Sequence, residues 1–340
     1  MSTTTKQDLL SVGSSPHIHS QVKPAQLMGD VIIALLPVTG AAIYIYGWSA
    51  VWLIAASILS AVLSEFVTNR LLRRKRETIG DLSAVVTGLL LALSVSPTVP
   101  IWAIIIGAMF AIVITKQLFG GIGHNFVNPA LAGRAFMMAS WPVLMTTFRF
   151  VSGFVPAGVT AVDGITSATR LTEIAQNPHT PLENWQQFLL TSGGCLGEVS
   201  GAALLLGVIW LLARRVIKLD TPLAYIVSFI IFNFALSPTG FFNVRGVHII
   251  DELISGGLLL GAFYMVTDYT TSPMTTTGRL IFGAMCGLIT VTIRRFGGYP
   301  EGVTYAILIS NLFVPLIDRA IKPPSFATLK TQKQKGAENG

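Results

Sequence analysis

Ten long apolar runs dominate this 340-residue chain, and they are what most limits the folds open to it. They fall at about 27–46, 49–68, 80–96, 101–118, 128–147, 194–213, 221–240, 252–267, 279–293 and 303–317. Their residues are apolar on every side rather than along one stripe, so each run needs a surrounding as apolar as itself. Only 11% of the residues are charged and the mean hydropathy is +0.66, which excludes an ordinary soluble domain. In lipid every backbone polar group must be paired within the element, and runs without strict alternation read as helices rather than barrel strands. The expected fold is an all-α polytopic membrane protein with ten transmembrane helices.

The ends carry no removable leader by this reading: residues 1–26 are polar, and the first apolar run is long enough to insert and stay. Net charge is +7, but its placement says more than its total. With the N-terminus cytoplasmic, seventeen of the 23 basic residues lie inside: Lys6, Lys23, Arg70, Arg73, Arg74, Lys75, Arg76, Lys116, Arg214, Arg215, Lys218, Arg279, Arg319, Lys322, Lys330, Lys333 and Lys335. Arg149, Arg170, Arg245, Arg294 and Arg295 lie outside, and Arg134 falls within a span. The positive-inside rule then places both termini in the cytoplasm and residues 149–193 on the periplasmic side of a bacterial inner membrane. Basicity is accounted for by the bilayer, without nucleic acid. Two cysteines, Cys195 and Cys286, read as small packing residues, and five histidines without helical pairing point to no haem or metal centre.

An internal repeat divides the chain. Gly107-Ala108-Met109, an apolar stretch and Phe119-Gly120-Gly121 recur as Gly283-Ala284-Met285, an apolar stretch and Phe296-Gly297-Gly298. Thr87-Gly88-Leu89-Leu90-Leu91 matches Gly256-Gly257-Leu258-Leu259-Leu260, and Ser96-Pro97-Thr98 has a looser counterpart in Ser272-Pro273-Met274. Five spans per half is an odd number, so the halves must run in opposite senses, as two inverted five-helix repeats. The organisation expected is a cytoplasmic tail at 1–26, a first repeat at 27–148, a periplasmic loop at 149–193, a second repeat at 194–318 and a cytoplasmic tail at 319–340.

Short, glycine-interrupted spans at matching places mark a central site in such folds, which singles out Gly88 and Gly257. Of the ionisable residues at span edges (Asp30, Glu65, Asp81, Asp251, Glu252, Asp268), Asp268 is the one kept for an ion path or flavin site, while Asp81 and Asp251 are placed to cap helices. The turn Gly120-Gly121-Ile122-Gly123-His124-Asn125-Phe126-Val127-Asn128-Pro129 ends in an Asn cap followed by Pro at the first helical position. It adds His124 and Asn128 to the same set.

The longest polar stretch carries Asp163-Gly164-Ile165-Thr166-Ser167-Ala168-Thr169. This run resembles the motif read by flavin transferases, in which the final hydroxyl becomes esterified to the phosphate of flavin mononucleotide (FMN). Ser167 stands where Gly is usual. Together with Ser15-Pro16-His17-Ile18-His19, the Gly-Gly-Ile-Gly-His-Asn turn with Asn128-Pro129-Ala130, and Thr267-Asp268-Tyr269, the motif makes nearly the whole chain resemble the D subunits of Rnf electron-transport complexes. The related B subunits of sodium-pumping NADH:quinone reductases usually have a longer N-terminal region, which favours the Rnf type.

The resemblance implies a component of an ion-translocating NADH/ferredoxin oxidoreductase, not catalytic alone, working beside the A, B, C, E and G subunits. It implies FMN held covalently on Thr169, with Asp163 aiding attachment, Thr166, Ser167 and Ala168 shaping the loop, and Arg170 beside the phosphate. It extends to a second, non-covalent flavin resembling riboflavin, with no residue assigned. The competing expectations are an inverted-repeat transporter or channel without redox chemistry, and a scaffold without cofactor.

Overall fold

The computed structural model describes residues 23–73, 79–148, 194–236, 252–297 and 301–322. Among these the chain is helical, with no strand. The attachment motif, with Asp163, Thr166, Ser167, Ala168, Thr169 and Arg170, lies outside the described residues, as does Asp251.

Helix α1 (Pro24–Tyr46) opens with Pro at its first position, while the Gln26 side chain accepts from the Lys23 N–H at 3.2 Å. Gly47 turns the chain directly into α2 (Trp48–Thr68). Next come α3 (Ser83–Leu93), α4 (Ile101–Met109, continuing in π-helical form through Phe110–Gln117), α5 (Pro129–Ser140) and the short α6 (Pro142–Thr146). The second half holds α7 (Gly201–Ala213), α8 (Asp220–Ala235), α9 (Leu258–Leu260, continued by π-helical Gly261–Met265), α10 (Thr276–Phe296) and α11 (Val303–Ala320).

Four helices are long and apolar enough to cross a membrane: α1, α2 with its extension, α10 and α11. Their outward faces carry large apolar side chains such as Leu36, Leu59, Leu63, Leu312 and Leu316, the pattern of a surface solvated by lipid. The chain is therefore an α-helical membrane protein.

Several expected full-length runs are realised as shorter pieces. The run at 194–213 is helical only from Gly201, and the run at 252–267 is broken at Ser255-Gly256-Gly257. At 1.5 Å per residue α3 and α7 are roughly 17 and 20 Å long, short of a hydrocarbon core of about 30 Å. The break in the second case follows from backbone conformation: Gly256 and Gly257 have φ of +70° and +66°, which a helix excludes and side chains disfavour.

Packing sets α2 along α3 and α4, α8 along α10, and α1 along α7. Small residues set the approach. A methyl group on Gly88 would meet the Ile58 backbone Cα at 2.8 Å, and the Ser57 hydroxyl donates to the Gly88 carbonyl at 2.7 Å. On the other side Gly283 and Gly287 meet the α8 backbone in the same manner.

Candidate functional site

Three buried polar centres interrupt this apolar bundle. The first joins α2 to the end of the α4 extension. Lys116 Nζ donates to both Glu65 oxygens at 3.0 and 3.1 Å and to Ser83 Oγ at 2.5 Å, while Gln117 Nε2 donates to Glu65 Oε1 at 2.8 Å. Ser83 is fixed in turn by Asp81, which accepts its backbone N–H at 2.9 Å. This is the capping role expected of Asp81. Lys116, counted by the charge rule among solvated cytoplasmic cations, is thus a buried ion-pair partner.

The second centre lies in the second half of the chain. Arg295 donates to Glu252 Oε1 at 3.1 Å and to Asn233 Oδ1, and Asn233 Nδ2 donates to Glu252 Oε2 at 2.5 Å. Arg294 donates to the carbonyls of Glu252 and Ser255 at 2.7 and 3.1 Å, clamping the turn before Gly256.

The third centre gathers residues from four parts of the chain. Arg134 on α5 is 3% exposed; its guanidinium pairs with Glu301, donates to Thr304 Oγ1 at 3.0 Å and lies 3.4 Å from Cys195 Sγ. The Cys195 thiol faces Glu301 Oε1 at 3.7 Å. Glu198 accepts the Gly256 N–H at 3.1 Å through one oxygen, and its other oxygen is buried without a partner. Cys195 Sγ and one carboxylate oxygen from each glutamate lie within 4.8 Å of one another. Cys195 is therefore not a mere packing residue. The signal that points here in the sequence is Arg134, a lone cation inside a span that demands a partner.

This centre also sits beneath the anchors of the loop bearing Thr169. Ser96 and Thr98, past the end of α3, donate to the Thr147 carbonyl at 2.7 and 2.8 Å, just before residue 149. Leu196, just after residue 193, donates to the Val95 carbonyl at 3.0 Å. Both ends of the 149–193 loop are thereby tied to the one segment 95–98.

The five residues singled out for an ion path or flavin separate into different places. Asn128 caps α5 through the N–H groups of Ala130 and Leu131 at 3.0 and 3.4 Å, and donates to the Met265 carbonyl at 3.2 Å. Asn311 on α11, with its amide oriented to satisfy both neighbours, accepts from Asn128 N at 3.1 Å and donates to Thr271 O at 3.2 Å. Asn128 and Asp268 line one cavity, with Ser83, Lys116, Asn125 and Tyr264. Asp268 accepts from the Thr270 and Thr271 hydroxyls at 3.0 and 3.3 Å. Gly257 belongs instead to the third centre, its α-carbon facing Glu198 and Arg134. Gly88 is spent on the α2–α3 contact, and His124 is exposed in its turn.

The Asn128–Asp268 cavity has a volume of about 80 Å³. Sites for ligands of flavin size run to roughly 300–1,000 Å³.

Short broken helices enclosing paired ionic centres define a polytopic membrane protein of the kind that moves charge through its interior. The chain belongs to the family described as NQR2, RnfD, RnfE, which matches residues 11–327. Over 96% of its length it is 41% identical to the D subunit of the Na(+)-translocating ferredoxin:NAD(+) oxidoreductase complex of Acetobacterium woodii, of which 98% is covered. It is 37% identical to the D subunit of the proton-translocating ferredoxin:NAD(+) oxidoreductase complex of Clostridium ljungdahlii, over 95% of this chain and 98% of that one. To the D subunit of the ion-translocating oxidoreductase complex of Escherichia coli K12 the identity is 35%, over 92% and 97%.

Proposed function

We propose that this chain is the D subunit of an ion-translocating ferredoxin:NAD(+) oxidoreductase complex and carries FMN covalently on Thr169. The observation that carries the reading is full-length identity of 41% and 37% to two proteins so named, one sodium- and one proton-translocating. Bound there, the flavin supplies electron transfer, and the protein sets its position. Thr169 provides the one hydroxyl that ends the motif after Ala168, and Arg170 stands next to it as a cation for the phosphate. Asp163, Thr166 and Ser167 precede it within transferase reach, since both loop ends are tied outside the helices at residues 95–98.

In this reading the helices form ten spans in two inverted repeats, with the termini cytoplasmic and the 149–193 loop periplasmic. The α2–α4 and α8–α10 pairings, and one buried ion pair in each half, Lys116–Glu65 and Arg295–Glu252, support the repeat. The partners are the A, B, C, E and G subunits, and a flavin transferase acts during maturation. A second, non-covalent flavin resembling riboflavin belongs to the same reading, with no residue assigned to it.

The deciding experiment is denaturing electrophoresis under ultraviolet light. A fluorescent band at the size of this chain, lost in Thr169→Ala while the polypeptide persists, is expected. A chain that accumulates without fluorescence beside an active transferase would favour a transporter or scaffold without redox role.

A further inference from the structure

The centre around Arg134 has an imbalance that its hydrogen bonds do not resolve. Glu198 is 9% exposed and one of its carboxylate oxygens has no donor, although it lies in a group with an oxygen of Glu301 and the Cys195 sulfur, all within 4.8 Å. Two ionised carboxylates present acceptors only. Acceptor facing acceptor in a buried place is unfavourable unless a hydrogen lies between them.

No hydrogen bond from the neighbours reaches that oxygen. Arg134 from α5 donates to Glu301, Thr304 and Cys195, and its Nε is buried without an acceptor. The Cys195 thiol lies 3.7 Å from Glu301 Oε1 and also interacts with Glu198. Tyr46, from the end of α1, donates to the Gly194 carbonyl at 3.5 Å. Arg294, from α10, donates through its two terminal nitrogens to the Glu252 and Ser255 carbonyls, and its Nε is buried without an acceptor.

We propose that Glu198 is an exchangeable proton site, the proton sitting on its unpartnered oxygen. Protonation converts that oxygen from an orphan acceptor into a donor. Release of the proton leaves a carboxylate stabilised by two guanidinium groups, Arg134 in contact with the cluster and Arg294 farther away, so neither state is prohibitive. A bare metal cation fits less well. Hard cations take on the order of six oxygen ligands, and here one unengaged oxygen of Glu198 faces a carboxylate already bonded to Arg134 and Cys195. The guanidinium, 3.4 Å from the sulfur, places a fixed positive charge beside any dication that Cys195, Glu198 and Glu301 would share. A proton on Glu198 requires nothing of the flavin.

The test is infrared spectroscopy of the purified complex, with glutamate carrying a ¹³C side-chain carboxyl. A protonated-carboxyl C=O band is expected that moves to lower frequency with the label and in D₂O. Glu198→Gln, which keeps an acceptor for the Gly256 N–H, should remove one such carboxyl per chain. Glu198→Asp, the more conservative change, should move the same signal out of reach of the glutamate label. Spectra unchanged by both variants would overturn the proposal. So would suppression of the band when sodium replaces potassium at fixed pH, or one divalent metal per chain that is lost in Cys195→Ser. Flavin fluorescence read on the same preparations separates the two readings: its loss with the band intact counts against the flavin alone.

Discussion

The Lys116 ammonium sits 3.0 and 3.1 Å from the two carboxylate oxygens of Glu65, and both side chains are only 2% exposed. Removing one partner of such a pair leaves the other charge buried alone, which costs about 3–5 kcal/mol. Lys116→Met and Glu65→Gln are each expected to lower the thermal unfolding temperature of the detergent-solubilised complex. The double change should recover much of the loss. A double variant as damaged as the sum of the singles would show that the two residues act independently.

The two repeat-matched glycines should respond differently to substitution. At Gly88 a side chain meets backbone at 2.8 Å, so Gly88→Ala is expected to destabilise by about 1–3 kcal/mol through overpacking. At Gly257 the nearest atoms are 3.6 Å or more away, but φ is +66°, and Gly257→Ala is expected to cost about 1–2 kcal/mol through backbone strain alone. Leucine at Gly257 would press on Glu198 and Arg134 and should impair coupled ion transport while leaving covalent flavin in place. Transport and fluorescence measured together check this, and full transport by Gly257→Leu would refute it.

The distribution of basic residues predicts orientation. Reporter fusions after residue 170 should behave as periplasmic, and fusions after residues 76 and 218 as cytoplasmic. Arg70, Arg73, Arg74, Lys75 and Arg76 form the densest basic group, so the fusion at 76 is the most telling. A cytoplasmic signal at 170 would reverse the topology and take Thr169 away from the periplasm.

Three hydroxyls compete within the attachment motif. Thr169→Ser keeps an oxygen at the same position and should retain partial labelling, whereas Thr166→Ala should weaken labelling without moving it. Both changes lie in a polar stretch of the sequence and should shift the stability of the chain by less than about 0.5 kcal/mol. Mass spectrometry of the loop peptide decides the acceptor, and FMN mass on Thr166 or Ser167 would exclude Thr169.

Hydropathy, the Pro and Asn signals at helix starts and the internal repeat are local properties of the chain, and they alone determined that it is a helical membrane protein. Asn128 before Pro129 and Asp81 before α3 cap their helices as expected, because a cap needs only residues within one turn. Family membership was legible for the same reason, being carried by short motifs. What only the tertiary structure decided is which buried charges meet. Arg134 and Glu301 are 167 residues apart and Arg134 and Cys195 are 61 apart, so no periodicity relates them. Low dielectric in the bundle forces a lone span cation to find an anion, but which anion depends on where the broken helices end, and that is fixed by packing of α3, α5, α7 and α11. The same dependence on packing moved Lys116 from the surface to the interior, and set Gly88 and Gly257, alike in sequence, to different tasks.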